Sequence, residues 1–214
     1  MAKNQQWQDD YWLLLMQLYL KKPVGVKPMF SKAMVDLAME IHIAPHILFN
    51  KMCEIANLET PRIERIWKEY GNSPRRLKRA VSLWRQMKGF GSNLFFEGVD
   101  VQETFERDFR PIDKDSRLTP VMLILILDLY FRLTPVTMVS KTPEIQQLGR
   151  LIKIPAYEIA YIMDIFQYCD PYLKRKGQAD ESLFPACQEI WNRYGNNDTE
   201  QLASYAKQLK EYFK

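Results

Sequence analysis

Near the N-terminus large apolar side chains recur at Trp12, Leu15, Met16, Tyr19 and Leu20, the spacing that lines one stripe of an α-helix. Pro23 and Gly25 end the run, because proline cannot extend the hydrogen-bond ladder and glycine leaves helical backbone easily. Ser31 is placed to cap a second helix reaching about His42, its hydroxyl accepting an orphan N–H of the first turn, and Pro45 suits the first turn of a third. A fourth helix is predicted from Thr60-Pro61 to Gly71, with Gly71 expected in the left-handed conformation, and Ser73-Pro74 opens a fifth. On that fifth helix Leu77, Val81, Trp84 and Lys88 fall within about 60° of one another at roughly 100° per residue. They form a buried seam with a lysine stem at its end, while Arg75, Lys78, Arg79, Ser82 and Arg85 project from the other side. The expected class is all-α.

The pattern then repeats. Leu13 to Leu20 matches Ile124 to Phe131 at an offset of 111, and the same offset carries Leu37, Ile41, Ile43, Leu48 and Met52 onto Leu148, Ile152, Ile154, Ile159 and Met163. Ile66-Trp67-Lys68-Glu69-Tyr70-Gly71-Asn72 returns as Ile190-Trp191-Asn192-Arg193-Tyr194-Gly195-Asn196 at an offset of 124, which places an insertion near Lys174 to Asp180. Two long copies imply an internal duplication rather than a solenoid, whose repeats run roughly 20–50 residues. The expected organisation is two similar helical lobes, 1–90 and 119–214, joined by a packed connector over 91–118. The connector is rich in apolar residues, which a flexible linker would lack: Phe95 to Gly98 is compatible with extended chain, and Val101, Phe105 and Phe109 recur every four residues as one side of a short helix.

Within each copy, Leu37-Ala38, Ile41-His42-Ile43-Ala44-Pro45, Leu48 and Met52, and again Leu148-Gly149, Ile152, Ile154-Pro155, Ile159 and Met163, resemble a helix-turn-helix unit of bacterial transcription regulators. The small residue after the first leucine lets two helices approach closely. The resemblance spans about twenty residues per copy. At the turn, where that family carries glycine, this chain has His42 and Lys153, and histidine reaches a left-handed conformation at modest cost. The whole chain also resembles members of an uncharacterised bacterial protein family, a likeness that implies no activity. The helix-turn-helix resemblance implies that the second helix of copy one presents His46, Phe49, Asn50 and Lys51 to a major groove, with Asn50 and Lys51 placed to read base edges. The corresponding face of copy two, Tyr157, Ala160, Tyr161 and Asp164, is apolar to acidic and suits phosphates badly. Such units also serve as packing modules, since fold does not imply function.

Charge sharpens this picture locally. The chain as a whole carries +4, but residues 1–110 hold 17 basic and 13 acidic side chains whereas residues 111–214 hold 13 of each. Pro61 to Lys88 contains nine cations, Arg62, Arg65, Lys68, Arg75, Arg76, Lys78, Arg79, Arg85 and Lys88, against Glu64 and Glu69 alone. Guanidinium groups suit phosphate, donating two parallel hydrogen bonds and staying charged at any relevant pH. The competing reading is that these charges are solvated or pair with the connector acids Glu97, Asp100, Glu103, Glu106 and Asp108.

Composition removes several other classes. With 47% hydrophobic and 26% charged residues the chain fits a packed protein, not a disordered or collagen-like one. Cys53, Cys169 and Cys187 form no CxxC pair, so neither a disulfide framework nor a thiolate zinc site is expected. His42 and His46 flank the turn and do not share a helix face as metal ligands would; no metal or cofactor is expected. Gly89 and Gly91 lack the surroundings of a phosphate loop, and no local pattern marks a nucleophile or an acid–base pair. The N-terminus shows no secretion leader, and Val121 to Leu127 is cut by Asp128 well short of the roughly 20 residues a membrane helix needs, so a cytoplasmic protein without a membrane partner is expected.

The expectation is a non-enzymatic binding protein, transcription-regulator-like, contacting DNA or RNA through His46, Asn50, Lys51, Arg62, Arg65, Arg75, Lys78, Arg79 and Arg85. The alternative is a scaffold that docks a protein partner on connector aromatics Phe90, Phe95 and Phe96.

Overall fold

The structure, a computed structural model, describes residues 7–88, 105–113, 117–173, 175 and 182–214. Among these the chain forms ten α-helices and no strand, so the all-α class holds. It divides into two compact units, Met1–Glu106 and Arg107–Lys214; the change of unit falls inside the expected connector.

In the first unit α1 (Tyr11–Leu20) is the central helix, packed by α2 (Lys32–Ile41), α3 (Pro45–Asn57), α4 (Pro61–Tyr70) and α5 (Pro74–Lys88). That position explains why the single predicted stripe understates its burial. Tyr11, Leu14 and Leu18 are buried as well as Trp12, Leu15 and Met16, because neighbours cover the helix on several sides. Met34, Leu37, Ile41, Leu48, Met52, Leu77 and Val81 complete the core around it. Thr60 caps α4, its hydroxyl accepting from the Ile63 N–H at 3.2 Å. Ser31 makes no such bond: its Oγ is buried without a hydrogen-bond partner. In the second unit α6 (Pro120–Tyr130), capped by Thr119, is packed by α7 (Pro143–Ile152), α8 (Ala156–Cys169), α9 (Phe184–Tyr194) and α10 (Thr199–Leu209). Phe105–Phe109 forms a short 3-10 helix; Val101 lies outside the described residues.

The α2–α3 and α7–α8 corners share their backbone. His42 and Lys153 both take left-handed conformations, φ 56° and 60°. The next N–H in each case reaches back five residues, Ile43 to the Ala38 carbonyl at 3.1 Å and Ile154 to the Gly149 carbonyl at 3.0 Å. This is the closure of a helix whose last carbonyls would otherwise be orphaned, and the residue after the turn, Ile43 or Ile154, is buried beneath it. At Gly149 an added Cβ would sit 2.6 Å from the Ile154 carbonyl oxygen, so the corner leaves no room for a side chain there.

Gly71 and Gly195 overturn a different expectation. Both are right-handed, φ −56° and −68°, so neither is a left-handed helix terminator. Instead the tryptophan four residues earlier folds over each: an added Cβ would lie 3.3 Å from the Trp67 ring and 2.6 Å from the Trp191 ring. The repeated Trp-Lys-Glu-Tyr-Gly and Trp-Asn-Arg-Tyr-Gly are thus packing motifs, in which glycine is the hole and the indole fills it.

Candidate functional site

Of the nine cations of Pro61 to Lys88, the Lys88 side chain lies outside the described residues, and the other eight separate into distinct groups once the helices are formed. Arg85 reaches Glu40 on α2 with two bonds of 2.8 and 2.9 Å, and that charge-assisted pairing raises its already high pKa. Arg76 pairs with Glu69 at 2.9 Å and lies over the Tyr70 ring, while Arg62 stands 3.4 Å from Asp9. Arg65, Lys68, Arg75, Lys78 and Arg79 are exposed and meet no carboxylate among the described residues. Of the connector acids, Glu97, Asp100 and Glu103 lie outside the described residues. Glu106 is buried and shares a 2.6 Å hydrogen bond with His42 Nδ1, and Asp108 in the second unit takes Arg193 with two bonds of 2.7 Å. Neither neutralises any of these five cations.

The placement of charge along α5 is the electrostatic anomaly. Helices α4, α7 and α10 each carry a glutamate in the first turn and a base in the last, as the helix dipole favours. Helix α5 has no acid in its first turn, and Arg75, Arg76, Lys78 and Arg79 crowd its positive end. Arg75 with Lys78 and Arg79 are like charges at i, i+3 and i, i+4, which destabilise rather than support a helix. The fold's own stability therefore gives no reason for this cluster, whereas an anion bound beside it would relieve both terms.

The face of α3 is divided. His46 and Asn50 are exposed and point outward together. Phe49 packs against the core and is not available to a groove. Lys51 is held by Glu54 at 2.7 and 3.0 Å, with its ammonium 5.4 Å from the centre of the Trp12 ring. Its charge serves the fold first. Phe90, Phe95 and Phe96, the residues of the alternative reading, lie outside the described residues.

A small cleft lined by Trp12, Met16, Ile55, Ile63 and Ile66 is walled entirely by apolar side chains. Burial pushes the Cys169 thiol up to about 11 and that of Cys187 up to about 12, so both are protonated in neutral solution. Among the described residues no helix is long and apolar enough to cross a membrane. Comparison with protein-family models, curated proteins and solved structures finds no match to this chain.

The pairings that sort the cations were not legible beforehand. Glu40 and Arg85 stand 45 residues apart, and only the packing of α2 and α5 in one unit joins them. Lys51–Glu54, by contrast, has the i, i+3 spacing of a helical ion pair, a local signal available in the sequence.

Proposed function

We propose that the chain is a non-enzymatic nucleic-acid-binding protein, transcription-regulator-like and cytoplasmic, whose first unit makes the contact through α4 and α5. The observation that carries this reading is the set of five exposed cations that meet no carboxylate among the described residues, Arg65 and Lys68 on α4 and Arg75, Lys78 and Arg79 in the first turns of α5. His46 and Asn50 on α3 add side-chain hydrogen-bonding groups; Lys51, Arg62, Arg76 and Arg85 are already paired and contribute less. The shared left-handed corners support a helix-turn-helix-like reading of the α2–α3 and α7–α8 pairs and an origin of the two units by duplication. The phosphate backbone is the expected target, because cations on mobile stems position a polyanion without reading its sequence.

The test is fluorescence anisotropy of random-sequence duplex DNA and of single-stranded RNA across a salt series. Five phosphate contacts predict a log–log slope of about −4.5 on duplex, through counterion release. Arg75→Ala/Lys78→Ala/Arg79→Ala is expected to flatten that slope by about three units. Absence of binding at low salt, or an unchanged slope in the variant, would overturn the reading.

A further inference from the structure

The loop between the first and second helix has the same outward character in each unit, although the two are built by different means. In the first unit the chain from 21 to 31 exposes Pro23, Val24 and Val26, the valines by 61% and 40%. In the second the chain from 131 to 142 exposes Pro135, Val136 and Val139, the valines by 87% and 49%. Each loop lies well inside a stretch that the structure describes without a break, 7–88 for one and 117–173 for the other. The first is tied by Lys27, whose ammonium donates to the Lys21 carbonyl at 2.7 Å and to that of Pro23, and by the Gly25 N–H on the Tyr19 carbonyl at 3.0 Å. The second is tied by threonines. Thr137 Oγ1 accepts from the Thr134 N–H at 3.0 Å and donates to the Thr134 carbonyl at 2.9 Å, and the Thr142 hydroxyl donates to the Thr137 carbonyl. A methionine sulfur pins each loop inward, Met52 accepting from the Lys27 N–H at 3.2 Å and Met138 from the Gln167 amide at 3.6 Å. Polar groups are thus turned in to hold the loop, and valines are what water meets. A lysine hub in one unit and a threonine hub in the other arrive at the same surface, so that surface is no by-product of one way of closing the turn.

We propose that each loop is a tip that enters the headgroup layer of an anionic lipid bilayer. Charge restricts the partner to an anionic one. Neither loop contains an acid, and Lys21 and Lys22 in one and Lys141 in the other are exposed and meet no carboxylate among the described residues. Lys27 and Arg132, by contrast, are held by the loop backbone and by Asp128. Exposure favours the bilayer among anionic partners. A valine at 87% exposure stands on a crest, which needs a matching hollow in a protein, whereas lipid headgroups part around it. Interfacial attachment sums buried apolar area and attraction of lysines to anionic lipid, and these loops supply both. The expectation of no membrane partner concerned spanning helices alone; a tip that dips into the interface needs no span. Two valines per loop bury little area, so a weak, reversible attachment is expected.

Co-sedimentation of the full chain with vesicles of phosphatidylglycerol and phosphatidylcholine, and with phosphatidylcholine alone, tests this. Wild type is expected to bind the anionic vesicles at least about tenfold more tightly than the neutral ones. Val24→Ser/Val26→Ser/Val136→Ser/Val139→Ser keeps every charge and is expected to weaken that binding about tenfold. Val24→Leu/Val136→Leu is expected to strengthen it about fivefold, a gain that no folding defect imitates. Wild type that ignores anionic vesicles, or a serine variant that binds them as wild type does, overturns the proposal. So does binding that is lost in Arg75→Ala/Lys78→Ala/Arg79→Ala and kept in the serine variant, which would assign the lipid to α5. Binding of poly-glutamate as tight as that of vesicles, and lost in the serine variant, would overturn it in favour of an acidic protein. Nucleic-acid binding is decided separately by the anisotropy series, in which the serine variant is expected to match wild type.

Discussion

The α2–α3 and α7–α8 pairs turn the same corner and show different faces to water. At the corner the two agree to within 4° in φ, although one places histidine there and the other lysine. On the second helix of each pair they diverge: α3 exposes His46 and Asn50, α8 exposes Tyr157 and Tyr161. What is held constant is the backbone closure and the buried isoleucine after it, and what varies is the side that packing does not constrain. The same contrast runs through the charges. In the second unit Asp108 clasps Arg193 and Asp128 clasps Arg132, each with two bonds and a buried carboxylate. In the first unit the arginine pairs lie nearer water: Asp9 with Arg62, Glu69 with Arg76 and Glu40 with Arg85 all keep a substantial part of the carboxylate exposed. The second unit thus seats its best-made ion pairs on buried carboxylates and the first places them nearer water, while open cations occur in both, Arg75 and Arg79 in one and Lys141, Arg150 and Lys153 in the other.

This comparison can be broken most forcefully at Asp108. Asp108→Ala leaves the half-buried Arg193 guanidinium with Glu189 alone, 4.0 Å away, and a loss of about 2 kcal/mol is expected in chemical denaturation. Asp9→Ala, which removes the exposed partner of Arg62, is expected to cost under about 0.5 kcal/mol. Equal costs would show that the two units use their ion pairs alike.

The thiols give a second, smaller contrast. Burial lifts the Cys187 thiol to about 12 from an ordinary 9.0, so at pH 8 its thiolate fraction is about a thousandfold below that of an unperturbed thiol. Alkylation at pH 8 should therefore label the half-buried Cys53 first and reach Cys169 and Cys187 only through unfolding. The sign of the linkage follows: the folded state holds these protons more tightly, so the stabilisation is complete below about pH 9 and is lost as pH climbs toward 12. Prompt labelling of Cys187 in native buffer would contradict the burial argument.

The smallest expected effect is on stability itself in the variant that should weaken binding. Arg75→Ala/Lys78→Ala/Arg79→Ala removes like-charge repulsion at the start of α5 and is expected to leave unfolding free energy unchanged or raised by about 0.5 kcal/mol. A clear destabilisation would mean that these side chains hold the fold together after all.

Much of the fold was legible because proline, threonine and serine punctuate it. Thr60-Pro61 and Ser73-Pro74 marked the starts of α4 and α5, and the seam of Leu77 and Val81 is buried as its period required. The role of Gly71 and Gly195 was not legible. A glycine after a helix suggests a left-handed residue on local grounds, whereas here an indole four residues back occupies the space of its missing side chain. Ser31 failed similarly, since capping depends on a hydroxyl orientation that burial can override. For the candidate site, the cation density on Pro61 to Lys88 was visible, but its division into paired and open charges depends on Asp9, Glu40 and Glu69 being brought alongside by folding. On α8 the sequence marked Tyr157, Ala160, Tyr161 and Asp164 only as a poor surface for phosphates, and the packing of α6, α7 and α9 against that helix came from the fold.

The grip of Glu106 on His42 has a mechanical meaning. Glu106 is the last residue of the first unit, so tension on the chain that follows enters the unit there. Through His42 that tension also meets the corner between α2 and α3, so the side-chain bond ties the departing chain to the left-handed joint that precedes α3, a fastening made outside the backbone.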